Sequence, residues 1–121
     1  MLEARGVRAR YGRIPALNGV SLSIAAGEAV GVLGHNGMGK TTLLKTLMGY
    51  LPLAAGEIKF DGASIGGEPT HRRSRLGLAY VPQGREIFPF LTVRENLAMG
   101  ARAPADIDAA LADFPVLEPL L

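Results

Sequence analysis

The chain has 121 residues, 48% of them hydrophobic, which is enough for one domain with a real core. Its net charge is only +2, from 13 Lys and Arg against 11 Asp and Glu, so charge makes no case for nucleic acid as a partner. The absence of cysteine excludes disulfides, thiolate catalysis and cysteine-ligated zinc.

The first segment changes phase. Leu2 and Ala4 share one face of a strand, Gly6 intervenes, and Val7, Ala9 and Tyr11 resume the alternation with Arg8 and Arg10 outward. A bulge at Gly6 explains the shift. Val20, Leu22 and Ile24 alternate with Ser21 and Ser23, which predicts a half-buried strand ending at the Ala26-Gly27 turn. Residues 29–33, Ala-Val-Gly-Val-Leu, form a short apolar run suited to a central parallel strand.

That run leads into Gly34-His35-Asn36-Gly37-Met38-Gly39-Lys40-Thr41, which fits the phosphate-binding pattern G-x-x-x-x-G-K-S/T at every specified position. The chemistry requires those residue types. Glycines let successive main-chain N–H groups turn inward on phosphate oxygens, Lys40 adds a mobile positive charge, and the Thr41 hydroxyl can ligate Mg²⁺. Thr42 adds a further donor. A helix should follow, with Leu43, Leu44, Leu47 and Met48 as its apolar stripe and its unpaired N–H groups facing the anion. His35 and Met38 occupy unspecified positions and are read as positional.

Farther along, Ile58 and Phe60 predict a short strand closed by an Asp61-Gly62 hairpin turn, the start of an antiparallel flap. The basic cluster of residues 71–75 reads as a solvated helix face. Leu78-Ala79-Tyr80-Val81 reads as a second buried strand that stops at Pro82 and delivers Gln83 to a loop. Thr92 and Glu95 form a capping box, which predicts a helix over about residues 93–99. A last, alanine-rich helix is expected over 106–113, with Asp106 as its N-cap and Phe114-Pro115 closing it.

Hydrolysis of a nucleotide also needs a carboxylate at the end of a second apolar strand and a group that orients water. Residues 109–113 end in Asp113, but their alanine content favours helix over buried strand. Asp61 belongs to a turn. The residues predict triphosphate binding without a convincing general base.

Tyr11 followed by Leu17-Asn18-Gly19-Val20-Ser21-Leu22, the loop 34–42, and Tyr80-Val81-Pro82-Gln83 together resemble the ATP-binding subunits of ABC transporters. The resemblance implies an α/β fold, a P-loop NTPase core with an antiparallel β subdomain, incomplete at its C-terminus. It implies ATP and Mg²⁺ as cofactors, Tyr11 stacked on adenine, and Gln83 as the Q-loop glutamine that ligates Mg²⁺ and senses the γ-phosphate. Residues 83–89 and 91–97 look most like importers of branched-chain amino acids, urea or amides. Residues 1–121 would then be the amino-terminal part of one nucleotide-binding domain, ending at the start of its helical subdomain. The signature motif, the Walker B strand with its catalytic Glu and the switch His do not occur in the sequence. The implied partners are transmembrane permease subunits and a second ATP-binding subunit, and the implied location is the cytoplasmic face of the cell membrane. The intact subunit would be an ATPase and this chain alone nearly inactive, the alternative being a truncated binding module without turnover.

Overall fold

A computed structural model describes residues 1–34, 39–84 and 87–121. The chain divides into two compact units, Met1–Tyr80 and Val81–Leu121.

In the first unit, β1 (Leu2–Tyr11) and β2 (Ile14–Ile24) form an antiparallel hairpin, with Tyr11 opposite Ile14. Gly12 takes the positive φ of 61° that a tight two-residue turn of this hand requires. β3 (Ala55–Phe60) pairs with the other edge of β1, and the short β4 (Ala63–Ser64) returns against β3, giving the sheet order β2-β1-β3-β4. The Asp61-Gly62 turn has positive φ at both residues, as the sequence predicts.

The expected bulge is present. The β1 register slips between Ala4 and Val7, Gly6 has φ 56°, and its N–H donates to Ser21 Oγ at 2.9 Å. Its effect is to return Val7 and Ala9 to the buried face that Leu2 and Ala4 occupy, all four being under 9% exposed. Opposite the bulge, Gly56 approaches so closely that a Cβ there would lie 2.4 Å from the Gly6 carbonyl oxygen. β2 is half-buried as predicted, with Val20, Leu22 and Ile24 packed against the core.

Helix α1 (Lys40–Met48) lays Leu43, Leu47 and Met48 on that core. Leu44, assigned to the same stripe from the sequence, is 42% exposed instead. At 100° per residue Leu44 lies between Leu47 and Met48 around the helix, so its exposure comes from what covers that part of the face and not from helical phase. The helix closes at Gly49, whose φ of 85° and N–H bonds to the Lys45 and Thr46 carbonyls form a left-handed cap.

Two expected strands do not form ladders. Residues 29–33 and 78–81 carry no strand pairing, and Leu33 is 94% exposed. Both runs have the composition of strands buried on two sides, and such strands hold their place only between partners. The strands formed by the described residues pair antiparallel with one another and supply none.

Helix α2 (Thr70–Leu76) corrects the reading of the basic cluster. Arg72 and Arg75 face solvent, but Arg73 is 2% exposed and lies inside the unit.

The second unit contains α3 (Val93–Gly100), α4 (Pro104–Asp113) and a 3-10 turn over Pro115–Leu120. Thr92 Oγ1 accepts from the Glu95 N–H at 3.1 Å, the first half of the predicted capping box. Helix α4 starts two residues earlier than expected, because Pro104 suits a first helical position. Asp106 is therefore not the N-cap. Its carboxylate sits in the first turn and accepts from the backbone N–H groups of Arg102 and Ala103 at 2.7 and 3.0 Å. Residues 109–113 are helical, as their alanine content predicts.

Candidate functional site

The end of β1, the start of β2 and the first turn of α1 enclose a cleft of about 420 Å³ lined by Tyr11, Pro15, Ala16, Gly39, Lys40, Thr41 and Thr42. Gly39 precedes the helix with φ 86° and offers no side-chain cap, so the N–H groups of the first turn of α1 face the cleft uncapped. A Cβ at Gly39 would lie 3.2 Å from Leu17 Cδ2 and 3.3 Å from the Ala16 carbonyl, so only glycine fits both the dihedral and the space.

Lys40 Nζ donates to the carbonyl of Gly34, across the loop that the two residues flank. Thr41 is exposed and Thr42 buried, so of the two hydroxyls only that of Thr41 stands open to solvent. Thr42 Oγ1 instead lies 3.3 Å from the Tyr11 hydroxyl. Tyr11 is 47% exposed, which leaves ring surface available at the cleft. Gly34, Gly39, Lys40, Thr41, Thr42 and Tyr11 are thus brought to one place. His35, Asn36, Gly37 and Met38 lie outside the described residues. Gln83 belongs to the second unit, where it is exposed in a bend beside Gly84 at φ 94°.

The donor set suits a polyanion. It combines an ammonium, a hydroxyl and a helix N-terminus, each of which favours negative charge, beside an aromatic ring.

Arg73 supports the opposite end of α1. Its Nη1 donates to the carbonyls of Thr46 and Leu47 at 2.8 Å each, Nη2 to Gly66 at 3.0 Å, and Nε to Glu68 at 2.9 Å. Burial pulls its pKa below the ordinary arginine value, and the nearby Glu68 carboxylate works in the other direction. In the second unit, Asn96 gathers the segment before α3. Its Oδ1 accepts from the Phe88 N–H at 2.8 Å while Nδ2 donates to the carbonyls of Phe88, Leu91 and Thr92 at 3.0, 3.2 and 2.9 Å. Sequence reasoning missed both residues. Asn96 lies four residues after the cap residue Thr92, a local signal that could have found it, whereas Arg73 had none.

The ABC transporter family profile matches residues 17–118, most of the chain. The chain belongs to the ABC transporter family. Among curated relatives, the high-affinity branched-chain amino acid transport ATP-binding protein BraG of Pseudomonas aeruginosa is 46% identical over 100 residues, covering 83% of this chain and 43% of that protein. The Nod factor export ATP-binding protein I of Burkholderia orbicola is 40% identical over 124 residues, covering 97% of this chain and 40% of that protein. A solved structure of an ATP-binding cassette of an ABC transporter superposes with a TM-score of 0.80 at 24% identity, over 99% of this chain and 55% of that one. The chain has the ABC cassette fold and spans less than half the length of these two curated relatives. Among the described residues, no helix is long and apolar enough to cross a membrane.

Proposed function

We propose that this ABC chain binds ATP, and that the complete subunit hydrolyses it to drive import of a small solute such as a branched-chain amino acid, urea or an amide. The observation that carries the reading is the convergence of Lys40, Thr41 and the uncapped α1 N-terminus on a cleft edged by Tyr11. Lys40 exchanges the Gly34 carbonyl for phosphate oxygens, a better partner because it carries charge. The N–H groups of α1 take the remaining phosphate charge, and Tyr11 offers its ring to adenine. Thr41 would hold Mg²⁺, which offsets charge building on the phosphates, and Gln83 keeps the Q-loop role that the family resemblance implies. Residues 1–121 are read as the amino-terminal part of one nucleotide-binding domain, the catalytic Glu and switch His being supplied by the rest of the subunit. Its partners are transmembrane permease subunits and a second ATP-binding subunit, at the cytoplasmic face of the membrane.

The 46% identity to BraG supports transport of branched-chain amino acids, and the 40% identity to an export protein is the specific observation behind a second reading, solute export. Equilibrium binding of Mg-ATP to the 121-residue chain tests the common part. Saturable binding that Lys40→Ala weakens at least tenfold is expected, with no phosphate release above background. Ordinary ATPase turnover by this chain would overturn the assignment of the catalytic groups to the rest of the subunit. For direction, uptake of labelled leucine, urea and acetamide into cells carrying the intact gene should exceed that of cells carrying its Lys40→Ala form; accelerated efflux would favour export.

A further inference from the structure

We infer that Arg73 is a positioning residue for the nucleotide site, acting through the helix that carries Lys40 and Thr41. The inference rests on the ATP-binding reading. Its observation is a division of labour along α1, whose N-terminal end forms the cleft while its C-terminal carbonyls, those of Thr46 and Leu47, are held by one guanidinium.

The same guanidinium holds the carbonyls of Gly66 and Glu68, in the connection between β4 and α2. Four donors on one rigid plane therefore fix the lower end of α1 relative to the sheet-side connection. Arg73 also sets a positive charge at the negative end of the helix dipole. Gly49 completes the seat, because a Cβ there would lie 3.1 Å from the Arg73 guanidinium carbon. No buried side-chain polar atom among the described residues lacks a partner, so the clamp is satisfied rather than strained.

The lever is short and stiff. Nine helical residues span about 14 Å, so a tilt of about 10° at the clamped end moves the cleft end by about 2 Å. A displacement of about 1 Å can cost a site two orders of magnitude. Lysine cannot reproduce the clamp, since its three donors radiate from one atom and cannot span four carbonyls set around a plane.

The test is the affinity for Mg-ATP of the 121-residue chain carrying Arg73→Met or Arg73→Lys, measured at a temperature where circular dichroism shows each variant folded. Ile65→Ala is the control, or Ile65→Val if that chain does not fold, because Ile65 is fully buried yet lines no part of the cleft. Arg73→Met is expected to weaken Mg-ATP binding at least tenfold and Arg73→Lys at least threefold, while the Ile65 variant lowers Tm and keeps wild-type affinity. Should Arg73→Met fail to fold, the Arg73→Lys arm decides. Wild-type affinity in the folded Arg73 variants, or an equal loss in the Ile65 control at equal loss of Tm, overturns the positioning role and leaves ATP binding standing. Failure of the wild-type chain to bind Mg-ATP overturns both.

Discussion

The Tyr11 hydroxyl lies 3.3 Å from the Thr42 hydroxyl, so the last residue of β1 is tied to the first turn of the helix that begins the cleft's floor. The contact assigns separate jobs to the two parts of the tyrosine, with the ring facing the cleft and the oxygen holding the helix. Tyr11→Phe keeps the ring and removes a long, half-exposed hydrogen bond worth at most about 1 kcal/mol. It should change Mg-ATP affinity less than about threefold. Tyr11→Ala removes a stacking surface worth about 0.5–1.5 kcal/mol beyond its area and should cost about tenfold. Calorimetric titration of the two variants checks this, and equal behaviour would refute the division.

Lys40→Ala should weaken Mg-ATP binding at least tenfold while leaving the fold intact. A charge-assisted hydrogen bond contributes about 1.5–3 kcal/mol, or about 10-fold to 150-fold in affinity. In this structure Lys40 spends its charge on a neutral carbonyl, so its loss should barely move the unfolding midpoint. Denaturation and binding measured on the same preparation separate the two effects.

Gly56→Ala should destabilise the first unit by more than about 2 kcal/mol, because a positive φ and a backbone collision coincide there. The new methyl would meet the Gly6 carbonyl oxygen at 2.4 Å, at φ +95°. Gly62 has φ +81° but nothing within 4 Å, so Gly62→Asn should cost well under half as much. Urea denaturation midpoints of the two variants test the contrast.

Asp106 makes the stability of the second unit depend on pH. Hydrogen bonds from the backbone N–H groups of Arg102 and Ala103 hold its carboxyl below the ordinary aspartate value. A depressed folded-state pKa gives a contribution that is fully present above the unfolded value and disappears as pH falls through the folded one. Wild-type chain should therefore unfold at higher temperature than Asp106→Asn at pH 7, and the gap should close on acidification below about pH 4. A gap that persists at pH 2 would contradict the carboxylate's role.

Asn96→Ala should loosen residues 88–92 without unfolding α3. Four hydrogen bonds converge on that amide, and it is half-buried, so water replaces part of what is lost and the cost should be about 1–2 kcal/mol. Amide exchange at Phe88 should accelerate at least tenfold, which mass spectrometry of the segment can read.

Local patterns carried most of what the sequence revealed. The phase slip around Gly6, the Asp61-Gly62 turn and the Thr92 cap each need only a few neighbouring residues, and each forms where the pattern puts it. The phosphate pattern is equally local, and it correctly marked the glycine before α1 and the start of that helix. Arg73 was unreadable because its four acceptors are spread over residues 46 to 68, and nothing adjacent distinguishes it from Arg72 or Arg75. Residues 29–33 misled for a related reason. Their composition specifies burial between two strands, but pairing is a property of neighbours that composition cannot supply.

The pairing of Leu2 with Phe60 has a kinetic consequence. The β1–β2 hairpin closes over two turn residues, whereas the β1–β3 ladder closes a loop that contains all of α1 and the nucleotide pattern. Closing about 60 residues costs roughly 3–4 kcal/mol of chain entropy by loop-length scaling, which the hairpin avoids. The hairpin with Tyr11 at its tip is therefore the early event in folding. The β1–β3 ladder, which must close over the whole of α1, follows it.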